Sequence, residues 1–512
     1  MENSRTRNVL RNISWSVFLQ VILMFFQFFT RRIFVRQMGT DYLGVTGLFT
    51  DIFFILNLVN FGFPDAMVIY MYKPLAEKNY DKVRALLNFF RKVYSVMGII
   101  ILFLGILAIP LLKFIIRDPP NIPESLVKIY FLFLLQTVST YFIVYKRYII
   151  FTDQKDYIIK IYQKSFHFLQ IVIQIVILLT IQNFFAYLSV QVICTILMNY
   201  FSSRKAEKMY PFINEKSTYR LSKVEISEIL TNVKSVFSYL VGMTLFTAVD
   251  SILISSIIGI GVLGLCSNYM LIENSIHSLA NQATWGFTAS VGNLNVNSDE
   301  DTAERVFNQV NFVFFALLAF CSINLAVCFN FLIPVWLGDN FLLSNLIVIS
   351  LVLKFYVMCS QNATYLFRST LGLLAKMKYI TIITAVANVI LSIILGKIIG
   401  VAGIFLASSL SMFFFTIIPE AYIIYKYKFR KSSVTFFIRY FLYLLFMVCN
   451  YLVTSKILAI PLFNLIGWTG FFIKVIFSII ISSSLFFLVF SRNENFKSII
   501  SRLIYIFKSK VH

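Results

Sequence analysis

The chain has 512 residues, 59% of them hydrophobic and only 13% charged, with a formal net charge of +22. A water-soluble domain carries about 25% charged residues, so composition excludes a soluble globular protein and turns the positive charge away from nucleic acid. The apolar residues come in runs of about 20 or more, the length that carries a helix across ~30 Å of hydrocarbon. A closed β-barrel would show ~10-residue alternating segments, and runs such as Ile99–Leu112 and Phe471–Phe490 do not alternate. The expected fold is an all-α integral membrane protein.

In chain order, the runs predict fourteen helices, at about 12–35, 41–72, 84–116, 124–150, 156–180, 183–203, 227–258, 262–296, 303–335, 341–368, 376–397, 400–425, 433–454 and 465–490. The second helix should break at Gly62-Phe63-Pro64-Asp65, because proline stops a helix interior and glycine takes the turn. A stretch with Leu43-Gly44-Val45 near a helix start, and a charged loop after the helix, has a weaker echo at 263–305 with Leu263-Gly264-Leu265. Such a repeat in a membrane chain points to a transporter of two lobes. The expected domains are an N-terminal lobe (1–203, helices 1–6), a cytoplasmic linker (204–226), a C-terminal lobe (227–425, helices 7–12), and an accessory pair with a cytoplasmic tail (426–512).

The loops carry the orientation. With the N-terminus inside, inside segments hold 34 Lys and Arg and outside loops hold 7, which places both termini in the cytoplasm. The outside loops are short and the largest inside loop is too small for a folded domain, so no soluble catalytic domain is expected and the chain reads as no enzyme. No G-x-x-x-x-G-K-[ST] run or metal-ligand spacing appears, so no cofactor is expected beyond a coupling H+ or Na+. The six cysteines lie inside apolar runs and read as packing residues. The first apolar run lacks a small-residue cleavage site, so no cleavable signal peptide is expected.

Charges and amides are costly in hydrocarbon and should face the protein interior or a hydrated cavity. Helix 1 carries Ser16, Gln20, Gln27 and Arg31 on one face; helix 5 carries Lys160, Gln163, His167, Gln170 and Gln174. Helix 8 carries Ser267, Asn274, Ser278, Asn281 and Trp285, with Glu273 and His277 beside them; helix 10 carries Lys354, Gln361, Tyr365 and Arg368. These stripes predict a large hydrated cavity between the lobes. Cations suit an anionic substrate and amides suit sugar hydroxyls, so Gln27, Arg31, Arg32, His167, Gln170, Asn274, Asn281, Lys354, Gln361 and Arg368 are the candidate substrate-binding residues. Arg31 and Arg32 have a second reading as interfacial anchors, and Arg368, at a helix end, as a topology signal. Asp51, Asp250 and Glu273 are the ion-coupling candidates. For Asp250 a structural ion pair is the stronger reading than ion coupling, and His277 reads as a local partner of Glu273. Asp65 follows Pro64 and reads as a cap.

Over residues 10–95, Ile33-Phe34-Val35-Arg36-Gln37-Met38-Gly39, Tyr42-Leu43-Gly44-Val45, Phe61-Gly62-Phe63 and Ala76-Glu77-Lys78-Asn79-Tyr80-Asp81-Lys82 resemble the opening of bacterial polysaccharide-biosynthesis flippases. These are the Wzx-type repeat-unit transporters of the multidrug/oligosaccharidyl-lipid/polysaccharide exporter superfamily. The resemblance implies a bacterial cell-membrane protein that moves undecaprenyl-pyrophosphate-linked oligosaccharide to the outer leaflet by alternating access, for capsule, O-antigen or exopolysaccharide assembly. It implies the lipid-linked oligosaccharide and membrane lipids as partners, together with polysaccharide polymerase and chain-length proteins, and no nucleic acid. Related lipid II flippases keep arginines in a central cavity, and Arg31 or Arg32 is the nearest counterpart. The alternatives are an ion-coupled multidrug exporter of the same superfamily, a membrane polymerase or acyltransferase, and a non-transporting scaffold.

Overall fold

The computed structural model describes residues 24–60, 62–297, 299–371, 373, 377, 379–460 and 466–501. Among the described residues there is no strand. The helices are α1 (24–38), α2 (Thr40–Ala76), α3 (Tyr80–Ile115), α4 (Leu126–Thr152), α5 (Asp156–Thr180), α6 (Phe184–Met209) and α7 (Lys223–Leu253, continued by a π turn at Ile254–Ile258). They continue with α8 (Ile260–Asn297), α9 (Glu300–Trp336), α10 (Asn345–Thr370), α11 (Ile380–Ile399), α12 (Val401–Phe429), α13 (Val434–Leu458) and α14 (Gly467–Phe490). Twelve helices among the described residues are long and apolar enough to cross a membrane, and the chain is a multi-pass membrane protein. The first predicted helix is described only from residue 24, so Ser16 and Gln20 lie outside the described residues. Elsewhere apolar run and helix agree closely; 156–180 coincides with α5.

The break in α2 falls where Gly62-Phe63-Pro64 predicts it. Regular helix ends at Leu56, a 3-10 turn covers Asn57–Asn60, and helix resumes at Phe63 after Gly62 at φ +89°. Pro64 costs nothing in a first turn, where its missing N–H would be unpaired anyway. Asp65 sits exposed in that first turn and makes no side-chain cap.

The helices form two compact units. One is Phe25–Gly264 with Thr381–Ala385; the other takes Leu265–Ile380 and the described residues from Val386 onward. In the first unit the two repeat glycines meet. A Cβ on Gly44 would strike the carbonyl oxygen of Ile260, and one on Gly264 the carbonyl oxygen of Thr40. Each carbonyl belongs to the residue four before the opposite glycine, so the contact is reciprocal, and only glycine permits so close an approach. Between α4 and α6 runs a polar ladder: Gln191 donates to Gln136 (3.1 Å), Gln136 to Thr195 (3.0 Å), Asn199 to Thr140 (3.2 Å) and Arg147 to Asn199 (2.9 Å). Such side-chain bonds join helices where lipid offers no hydrophobic drive.

The chain after α6 is fastened rather than loose. Asp81, in the first turn of α3, accepts from the backbone N–H of Thr218 (3.0 Å) and Tyr219 (2.8 Å), from the Thr218 and Ser217 hydroxyls (2.6 and 3.0 Å), and from Arg84 (3.1 Å). These donors, Thr218 first, hold its carboxyl below the usual carboxylate range. Lys82 pairs with Glu225 at 2.6 Å, and Ser222 and Glu225 form a capping box at the start of α7.

In the second unit α9 is the axis, with sixteen buried side chains along it. The accessory pair packs on it through aromatic rings. Phe315 stacks on Tyr443 at 3.8 Å, and Phe312 meets Phe490 edge-on at 5.5 Å. Lys474 of α14 is buried with its ammonium 3.6 Å from the centre of the Phe331 ring, and Ser478 donates to Asn324 at 2.7 Å.

Candidate functional site

In the second unit the α10 stripe turns inward. Lys354, Gln361 and Arg368 recur every seven residues and are buried at 6%, 5% and 0% relative exposure. Gln361 and Arg368 meet a carboxylate outside the predicted stripes, Glu420, itself 0% exposed. Arg368 Nη1 donates to Glu420 Oε1 at 2.5 Å, Gln361 Nε2 donates to the same oxygen at 2.7 Å, and the Thr364 hydroxyl donates to Oε2 at 2.7 Å. Local chemistry in α12 delivers Glu420. Pro419 cannot donate to the preceding turn, and the helix widens to a π turn over Phe413–Ile417 just before it. The carboxylate accepts from three side chains on one face of α10. Arg368, expected as a candidate phosphate partner, has its charge answered inside the protein.

Lys354 occupies a different setting, two turns away from Gln361. Its ammonium lies 5.3 Å from the centre of the Phe405 ring of α12 and acts electrostatically on His277 and Cys266 of α8. His277 lies one turn after Glu273 on the same helix. Its Nε2 lies 3.2 Å from the Asn281 amide nitrogen, one turn on. Glu273 is buried and within electrostatic reach of Cys359 of α10. Asn274 is exposed and Ser278 and Asn281 are half-buried on the same helix. The Trp285 side chain lies outside the described residues.

In the first unit α1, α5 and α6 converge. Arg31 is half-buried and within electrostatic reach of Tyr187 of α6. The Tyr187 carbonyl accepts from Gln174 of α5 at 3.1 Å, and Gln174 accepts from Gln170 at 3.3 Å. Phe34 meets the Tyr187 ring edge-on at 5.1 Å, and Phe26 meets Phe168 of α5 edge-on at 5.8 Å. Gln27 and His167 are half-buried beside that last contact. Arg32 is half-buried, and its Nε has no hydrogen-bond partner among the described residues. Lys160, at the outer end of the α5 stripe, pairs with Asp156 at 2.6 Å and is exposed. Thus the structure joins the helix 1 and helix 5 stripes, and separately the helix 8 and helix 10 stripes.

Of the candidate ion-coupling carboxylates, Asp250 is wholly buried in α7, one turn before its π segment, Glu273 is buried in α8, and Asp51 is half-buried in α2. Among the described residues no three His, Cys, Asp or Glu side chains are placed to hold a metal ion.

No family model matches the chain. No curated protein matches it in sequence. Solved structures do match. A lipid II flippase, MurJ, in an inward closed conformation, superposes with a TM-score of 0.62 at 17% identity over 94% of this chain and 99% of that one. The chain shares the fold of this structure. An inward-facing multidrug resistance MATE transporter of the MOP superfamily gives a TM-score of 0.59 at 12% identity, over 77% of this chain and 92% of its own. A Vibrio cholerae MATE transporter, VcmN, gives 0.56 at 12% identity, over 85% and 99%. These neighbours are transporters and flippases rather than enzymes.

Proposed function

We propose that the protein is a flippase carrying a pyrophosphate-linked, lipid-anchored oligosaccharide from the cytoplasmic to the outer leaflet of a bacterial cell membrane, with both termini in the cytoplasm. The observation that carries this reading is the span of the MurJ likeness. Its uncovered 6% is about 31 residues, fewer than the 49 of α13 and α14 together, so the shared fold reaches into the accessory pair. The two MATE likenesses leave 23% and 15% of the chain uncovered. An apolar helix pair beyond twelve suits cargo with a long hydrocarbon tail. The opening resemblance at 10–95 supports the same class of cargo, and the 34-to-7 charge split supports the orientation.

The chemistry agrees. Arg31, Arg32 and Lys354 are the proposed phosphate contacts, and Asn274, Asn281 and Gln27 the proposed contacts to sugar hydroxyls. An exposed asparagine in mid-helix is costly against hydrocarbon, which supports a hydrated face on α8. Alternating access requires the head group to bind both open states without trapping either. A second reading, an ion-coupled multidrug exporter, draws on the MATE likenesses and on buried Asp250 and Glu273.

Complementation distinguishes the two. Expression in a bacterium lacking its own repeat-unit flippase should restore surface polysaccharide and clear the lipid-linked repeat from the inner leaflet. Resistance to cationic dyes without that clearance would replace the flippase reading with the exporter.

A further inference from the structure

A pocket of about 490 Å³ opens in the first unit, away from Arg31, at the end of the bundle where α3 begins. Arg91 and Lys92 of α3, Tyr145 and Lys146 at the end of α4, and Glu215 and Lys216 after α6 line it. Two of these charges are already neutralised: Lys146 pairs with Glu207, and Glu215 with Arg84. Arg91, Lys92 and Lys216 have no acidic partner among the described residues, so three positive charges face one cavity. The third wall does not need to be assembled, because the Asp81 clamp fastens Ser217 and Thr218 to the start of α3.

Depth selects the ligand. Lys92 is the last charge before the apolar run 93–111. Val96, Ile99 and Phe103 follow it at steps of four, three and four on the same helix face, each more than half exposed. A cationic pocket at the interface, continued by an apolar stripe open to acyl chains, matches a phosphate head with hydrocarbon attached. A free phosphate would leave the stripe unused. Tyr145 adds an interfacial aromatic. Guanidinium pairs bidentately with phosphate oxygens, and lysines add point charge.

We propose that this pocket binds the phosphate headgroup of an anionic membrane lipid as a resident ligand, at a site separate from the residues assigned to cargo. The test uses the full chain, purified in detergent and stripped of lipid. Cardiolipin or phosphatidylglycerol should raise Tm by several degrees and stay bound in native mass spectrometry, while phosphatidylcholine does neither. The shift should shrink as salt rises from 50 to 500 mM. In R91Q/K92Q/K216Q, anionic-lipid affinity should fall at least tenfold, and R91K/K92R/K216R should retain it. Lys216→Gln alone, on an exposed loop where folding is not at stake, should lose severalfold. Wild-type binding by the triple and single variants would overturn the proposal. So would inorganic pyrophosphate giving the full shift without lipid, or lipid-linked pyrophosphate competing cardiolipin off the site, which would assign the pocket to free phosphate or to cargo. Arg31 and Lys354 are untouched, so these results are independent of whether the protein flips oligosaccharide.

Discussion

By sequence Arg31 and Arg368 are both candidate cations for an anionic head group, one in each unit, and the structure sets them in different surroundings. Arg368 is fully buried and met by Glu420, with Gln361 and Thr364 bonded to the same carboxylate. Arg31 is half-buried and within electrostatic reach of Tyr187, whose ring meets Phe34 and whose carbonyl accepts from Gln174. A positive residue in a membrane helix is therefore not equivalent to positive charge on offer. One arginine joins α10 to α12 through a buried carboxylate, and the other lies half-buried within electrostatic reach of Tyr187.

The largest effect should come from opening the closed pair. Glu420→Gln leaves a buried guanidinium without its counter-charge, which costs about 3–5 kcal/mol, and Tm of the purified protein should drop sharply. The apolar double variant Glu420→Leu/Arg368→Met should recover most of the loss. An unchanged Tm in Glu420→Gln would show that Arg368 is not held by this carboxylate. Next is the reciprocal glycine crossing. Gly44→Val and Gly264→Val should each destabilise by about 1–3 kcal/mol through overpacking, whereas Gly47→Val, with nothing within 4 Å of its Cβ, should leave Tm nearly unchanged. Equal losses at all three positions would contradict the crossing.

On the ligand side of the comparison, Arg31→Ala and Lys354→Ala should each lower transport about tenfold, ~1.4 kcal/mol, while membrane insertion stays intact. Arg31→Lys should retain part of the activity. The smallest effect concerns the loop after α6. Asp81 and Glu225 have carboxyls held below the ordinary range, Glu225 at about 2, with Lys82 the main cause. Their contribution is complete above the unfolded carboxylate range near 4 and is lost as pH falls through the folded values. Cleavage within 210–222 should be equally slow at pH 7 and pH 5 and faster below pH 4, whereas Asp81→Asn should be cleaved quickly already at pH 7. Insensitivity of that variant would remove Asp81 as the fastening point.

What the sequence made legible follows from which forces are local. Runs of about 20 apolar residues fix a helix by length alone, and Gly62-Phe63-Pro64 announces its own break, so α2–α14 were readable nearly to their ends. The repeat at Gly44 and Gly264 was visible as a pattern, but not that the two glycines face one another, since that depends on how α2 crosses α8. Glu420 was hidden because one acid in the run Phe413–Tyr425 barely lowers its hydropathy; the proline before it was the available signal. Its pairing with Arg368 is a tertiary fact about α10 and α12 that no single-helix periodicity carries. In the sequence the charged loop signals topology, and nothing marks Asp81 as the residue that organises five hydrogen bonds there. The sequence places His277 one turn from Glu273 and Asn281, but that Lys354 of another helix also acts on it is a tertiary fact.

The most direct measurement is flipping in proteoliposomes containing the purified protein, with lipid-pyrophosphate-linked oligosaccharide in one set, a cationic dye in another, and proton or sodium gradients imposed or absent. The account predicts transbilayer movement of the lipid-linked oligosaccharide, weakened by Arg31→Ala and Lys354→Ala, with no dye uptake. Dye transport driven by an ion gradient, with the oligosaccharide lipid left in its original leaflet, would contradict it and make Asp250 and Glu273 the residues that matter.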